Sequence, residues 1–167
     1  ILYPTDTIWG IGCDATNAEA VKRVYEIKKR SDSKAMLVLV DNAVKVDFYV
    51  DGAPEVAFDL IELTNKPLTI IYDGAKNLAP NLIAEDGSVG IRVTSEEFSN
   101  QLCYRFRKAI VSTSANVSGE PSPATFGEIS DEIKQAVDYI VQSRQQENKA
   151  SQSSSIIKLG KGGQVKV

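Results

Sequence analysis

The chain has 167 residues, 43% of them hydrophobic and 25% charged, with a formal net charge of −3. That suits one globular domain with a core of its own, and the acidic balance argues against a dedicated module for nucleic-acid backbone. It contains no histidine, which excludes Ser-His-Asp and Cys-His triads and argues against a zinc site.

Apolar runs such as Met36–Val40 and Ile70–Tyr72 are far too short to span a bilayer. Cys13 and Cys103 are too few for a disulfide scaffold and lie in no C-x-x-C pair, so they read as reduced thiols of a cytosolic protein. Ile1-Leu2-Tyr3 reads as a strand already under way, which implies a truncated N-terminus. Val165-Lys166-Val167 likewise reads as a strand cut short.

Strand and helix signals then alternate. Thr16-x-x-Glu19 has capping-box spacing and opens a helix to about Arg30, with Val21, Val24 and Ile27 as its apolar stripe. Met36–Val40 reads as a buried strand. Pro54 sits as the first residue of a helix carrying Val56, Leu60 and Ile61. Leu68–Tyr72 and the glycine-interrupted Ser88–Val93 read as strands. Thr94 or Ser95 caps a helix with Phe98, Leu102 and Phe106 on one face. Ala109–Val111 is the next strand, followed by a loop from Ser112 to Pro123. Ser130 starts another helix, Tyr139–Val141 is a candidate strand, and Gln142–Ser154 reads as a mobile surface loop. Ile156–Leu159 and Gln164–Val167 form a hairpin across Gly160–Gly163. The alternation predicts an α/β sheet covered by helices.

Three segments carry chemistry. Pro4-Thr5-Asp6-Thr7-Ile8-Trp9-Gly10-Ile11-Gly12 offers hydroxyls for a small polar ligand and glycines for close approach, although taken alone it is better accounted for by an ordinary inter-strand turn. Lys28-Lys29-Arg30 with Lys34 places four cations within seven residues, enough to hold a polyphosphate. Cations at a helix C-terminus also simply suit the macrodipole. Lys28 continues the stripe of Val21 and Val24, with a head that can reach beyond the helix end. Ser112-Thr113-Ser114-Ala115-Asn116, continuing to Ser122-Pro123, follows a strand directly, and ligands of α/β sheets gather at strand carboxyl ends. A solvated loop is the plainer alternative. Neither G-x-x-x-x-G-K-[ST] nor G-x-G-x-x-G occurs, so any nucleotide is held by another device.

In this order the segments resemble the YrdC-like, or Sua/YciO/YrdC, family. The resemblance rests on Pro4–Gly12 with Trp9 as its aromatic, Lys28–Arg30, Gly90-Ile91-Arg92, Ser114–Asn116 with Ser118-Gly119, and Ser153-Ser154-Ser155 entering a late strand. It implies a single YrdC-like domain over residues 1–167, with a twisted mixed sheet flanked by helices and a cationic cleft. The implied activity is that of a nucleotidyltransferase making threonylcarbamoyl-AMP and pyrophosphate from L-threonine, bicarbonate and ATP. Mg²⁺ accompanies the ATP, the product serves tRNA t6A37 modification, and tRNA and tRNA-modification proteins are possible partners. A membrane is not. By the same resemblance Thr7, Arg92, Ser112 and Ser154 hold threonine. Arg30, Lys34, Ser88, Ser114, Asn116 and Ser122 hold ATP, and Lys28, Arg30, Ser114 and Asn116 form the catalytic set. The sequence departs from the family at Lys66-Pro67-Leu68-Thr69, a shortened form of a longer proline-glycine segment. It also departs at Leu39, where some relatives carry histidine, and a late arginine of the family falls beyond Val167. A double-stranded-RNA- or tRNA-binding protein of the same fold is the alternative.

Overall fold

The apolar runs become the middle of one mixed sheet in the computed structural model, which describes residues 1–30, 36–149 and 151–166. The strands are β1 (Leu2–Tyr3), β2 (Gly10–Ile11), β3 (Leu37–Val40), β4 (Leu68–Tyr72), β5 (Val89–Val93), β6 (Ile110–Ser114), β7 (Ser155–Leu159) and β8 (Val165–Lys166). Their spatial order is β1-β2-β6-β3-β5-β4-β7-β8. The β3–β5 and β4–β7 pairs are parallel, and the remaining neighbours are antiparallel. The helices are α1 (Ala18–Lys28), α2 (Val46–Tyr49), α3 (Glu55–Leu63), α4 (Glu97–Phe106) and α5 (Asp131–Ala136). Among the described residues no helix is long and apolar enough to cross a membrane.

Register decides which side chains share a face, because directly paired residues point the same way. Gly10 pairs with Ser114, Leu37 with Ser112, Leu39 and Thr69 with Arg92, and Thr69 with Ile156. Gly10, Ser114, Ser112, Leu37, Arg92 and Ile156 therefore lie on one face. Val38, Val40, Ile70, Tyr72, Ile91 and Val111 point the other way and are all buried. Gly12 has a steric reason: a Cβ there would sit 2.4 Å from the Tyr3 ring and 2.5 Å from the Val111 carbonyl oxygen. Only glycine lets the chain leaving β2 press so close to β1 and β6.

Several boundaries differ from those expected. Asn17, not Thr16, caps α1, accepting from the amides of Glu19 and Ala20. Thr16 is instead bound by Asp14. The helix ends at Lys28, where Lys29 takes the left-handed conformation at φ 52° and closes the last turn. Glu96, not Thr94 or Ser95, caps α4. The core face of α4 is Ser99 and Cys103, while Phe106 is exposed and Phe98 and Leu102 are half-buried. Strand β6 runs on through Ser114, so Ser112 to Ser114 belong to the sheet and not to the loop. Tyr139–Val141 contributes a single bridge to Leu2 in place of a strand. The α3 stripe is also displaced: Ala57 is buried and Val56 is exposed.

Burial raises the thiol pKa of both cysteines to about 12. Cys103 Sγ faces the Leu39 carbonyl at 3.6 Å, beneath α4.

Candidate active site

The polar face of the sheet forms the floor of a cavity of about 340 Å³. Its walls include Thr7, Trp9, Arg30, Arg92, Ser112, Ser114, Ser122 and Ser154. Seven predicted site residues thus meet in one place although they come from five separated stretches of chain. Gly10, Leu37 and Ile156 complete the floor, as the register requires.

On one side of the cavity stands Arg92, on β5 and only 2% exposed. Its Nη2 donates to Thr7 Oγ1 at 3.3 Å and its Nη1 to Thr69 Oγ1 at 3.4 Å. Thr69 Oγ1 in turn shares a 2.8 Å hydrogen bond with Ser154 Oγ. A guanidinium flanked by hydroxyls is a receptor for a small carboxylate. The acidic partner already present is Asp6, which accepts from Arg92 Nε at 3.0 and 3.1 Å and lies 3.0 Å from Nη2. Thr7 is held by its neighbour, because the Thr5 hydroxyl accepts from the Thr7 amide at 3.1 Å.

On the other side lie the end of α1 and the end of β6. Lys28 is 2% exposed, and its head does not leave the helix end for solvent. Its Nζ donates to the Ser114 and Asn116 carbonyls at 2.6 and 2.9 Å, and reaches Ser114 Oγ and Asn116 Oδ1 at 3.4 and 3.3 Å. The Lys28 carbonyl accepts from the Ser118 amide at 2.8 Å. Burial, then the nearby Arg30 guanidinium, bring the Lys28 pKa down to about 8. Asn116 Nδ2 donates to the Glu120 carbonyl at 2.6 Å. Lys28 and Asn116 therefore lie behind the cavity wall and set the course of the chain that carries Ser114.

One predicted residue stands apart, and another is not described. Ser88 is at the far end of β5 from Arg92, where its amide and hydroxyl bind Asp86 Oδ1 at 3.0 and 2.5 Å. It lies four residue steps before Arg92, about 13 Å along the strand, and it does not line the cavity. Lys34 lies outside the described residues. Conversely, sequence reasoning assigned no role to Asp6 or Thr69, and none to Arg144. Arg144 donates from Nη1 to the Thr5 carbonyl at 3.0 Å and pairs with Glu96 and Glu147. The signal for Asp6 was its position between two threonines, and Arg144 gave no local signal. A larger groove of about 1070 Å³ runs along α4 past Phe98, Leu102 and Phe106, but it gathers none of the predicted residues.

A threonylcarbamoyl-AMP synthase of Pseudoalteromonas translucida is 33% identical over 144 residues, which is 84% of this chain and 77% of the relative. One of Pseudoalteromonas atlantica is 30% identical over 165 residues, covering 97% and 86%. The structure of P. abyssi Sua5 complexed with L-threonine superposes with a TM-score of 0.86 at 24% identity, over 95% of this chain. This chain spans about half, 46%, of that protein. The family profile of Sua5, YciO and YrdC, described as "Telomere recombination", matches residues 1–167. The chain accordingly belongs to the Sua5/YciO/YrdC family.

Proposed function

We propose that this protein is an enzyme that forms threonylcarbamoyl-AMP and pyrophosphate from L-threonine, bicarbonate and ATP, a nucleotidyl transfer that supplies tRNA t6A37 modification. The observation that carries this reading is the convergence of Thr7, Arg30, Arg92, Ser112, Ser114, Ser122 and Ser154 on a single cavity. The names of its relatives support threonylcarbamoyl-AMP as the product, and the L-threonine complex of P. abyssi Sua5 supports threonine as a substrate.

In this reading the threonine carboxylate binds the Arg92 guanidinium and the hydroxyls fix its side chain. Bicarbonate condenses with the amino group to a carbamate, releasing water. A carbamate oxygen then attacks the α-phosphorus of ATP, and pyrophosphate leaves with the electron pair of the broken P–O bond. Both reacting groups are anions, so the protein's contribution is positioning and charge compensation. Arg30 supplies the fork that meets phosphate. Lys28 acts from behind, holding Ser114 and Asn116 in place. Mg²⁺ enters with ATP, carried on the phosphate oxygens it prefers. The catalysed step needs no histidine.

The test is pyrophosphate release from ATP with bicarbonate and single amino acids. Release is expected only when L-threonine and bicarbonate are both present. Equal release with serine, or without bicarbonate, would refute the substrate assignment.

A further inference from the structure

Arg92 meets two different surroundings along its two edges. Along the Nε edge, Asp6 makes three short contacts of 3.0 to 3.1 Å. Along the Nη edge, the hydroxyls of Thr69 and Thr7 are 3.4 and 3.3 Å away, longer than the usual 2.9–3.0 Å for a nitrogen donor. The cavity touches Arg92 but not Asp6. Asp6 instead borders a second cavity of about 390 Å³ on the far side, with Lys66 and Arg144. The carboxylate thus stands behind the guanidinium and leaves its front edge under-coordinated.

Asp6 is itself held. The Thr5 hydroxyl accepts from the Thr7 amide and donates to the Ile8 carbonyl at 2.7 Å, closing the turn around Asp6. Arg144 grips the Thr5 carbonyl from outside. A chain of contacts therefore runs from Arg144 through Thr5 and Asp6 to Arg92.

We propose that Asp6 is a positioning residue for substrate recognition: it clamps the rear edge of Arg92, so that the front edge is presented in a fixed plane to the carboxylate of the amino-acid substrate. The proposal rests on the reading of the cavity given above. A buried arginine without a counter-ion is costly, and a guanidinium free to rotate loses the two-point match that selects a carboxylate. Asp6 removes both problems without entering the cavity.

Asp6→Asn keeps the size of the side chain and one acceptor, and removes the charge. Asp6→Glu keeps the charge and lengthens the arm by one methylene, for which the second cavity has room. Calorimetry with L-threonine, and separately with ATP, compares both variants with the wild-type chain. The expected order of threonine dissociation constants is wild type, then Asp6→Glu a few-fold weaker, then Asp6→Asn weaker by roughly tenfold to a hundredfold. ATP affinity should stay within about twofold throughout, a split that general loosening of the fold does not give. Asp6→Asn binding threonine like the wild type, or losing both ligands equally, overturns the proposal. Should Asp6→Asn fail to fold, Asp6→Glu decides alone: a threonine-specific loss supports the clamp, and unchanged binding overturns it. Wild-type protein that binds no threonine overturns the reading of the cavity, and the proposal with it, before any variant is compared.

Discussion

Lys28 and Arg92 are both 2% exposed, one on each side of the cleft, yet they are stabilised in opposite ways. Arg92 has a carboxylate, Asp6, on its rear edge. Among the described residues Lys28 Nζ meets no carboxylate and is surrounded by carbonyl, amide and hydroxyl oxygens of Ser114 and Asn116. The difference separates two kinds of site. A compensated guanidinium recognises by the shape of its planar fork. An ammonium solvated by neutral oxygens retains a net positive charge to offer, and it can lose that charge within reach of physiological pH.

The contrast breaks most sharply at Arg92. Arg92→Ala removes the front-edge receptor and strands Asp6. Threonine binding should weaken by about 2–5 kcal/mol while ATP binding holds, and calorimetry with each ligand decides it. Loss of ATP affinity alone would move Arg92 to the nucleotide half.

Arg30→Lys comes next. The charge survives and the planar fork does not, so adenylate synthesis should fall on the order of a hundredfold. On an RNA-binding surface the same change would matter little, because counterion release follows charge. Synthesis and tRNA binding measured on one preparation separate the two readings.

The Lys28 side predicts a pH dependence. The ammonium titrates near 8 in the native protein, against an ordinary 10.5. Activity should therefore decline as pH rises through about 8. The unfolded chain binds the extra proton between those two values, so this group's contribution makes stability rise with pH from about 8 to 10.5. Lys28→Met should abolish both trends, read as pH–rate profiles and urea midpoints. Trends that persist in Lys28→Met would assign them to another group.

The smallest effect is expected at Ser88. Its hydroxyl serves Asp86, and the cavity lies at the other end of the strand. Ser88→Ala should leave the KM for ATP within about twofold; a larger rise would return Ser88 to the nucleotide subsite.

What the sequence disclosed follows the same physics. Leu68–Tyr72 was legible because a short run rich in β-branched and aromatic residues, stopped by Asp73-Gly74, is too short for a helix and fits a largely buried strand. Strand β6 was cut short at Val111 because its last three residues are hydroxylated, and a polar strand end looks like a loop until its partners Leu37 and Gly10 are known. The place of Lys28 on the apolar stripe was visible in its helical spacing, but the burial of its head was not, because its partners lie 86 and 88 residues away. Asp6 was seen and left without a role, since its meaning lies in Arg92, 86 residues further on. Local pattern placed the helices but misjudged the caps of α1 and α4 and the buried faces of α3 and α4; long-range ion pairs leave no periodicity to read.

Cys103 gives the fold a built-in reporter. Its thiol lies under α4 against the Leu39 carbonyl, and burial holds its pKa near 12. At neutral pH an alkylating reagent meets neither a thiolate nor an accessible sulfur. Cys103 therefore becomes reactive only when α4 lifts from the sheet, and its labelling rate measures the free energy of that local opening against that of global unfolding.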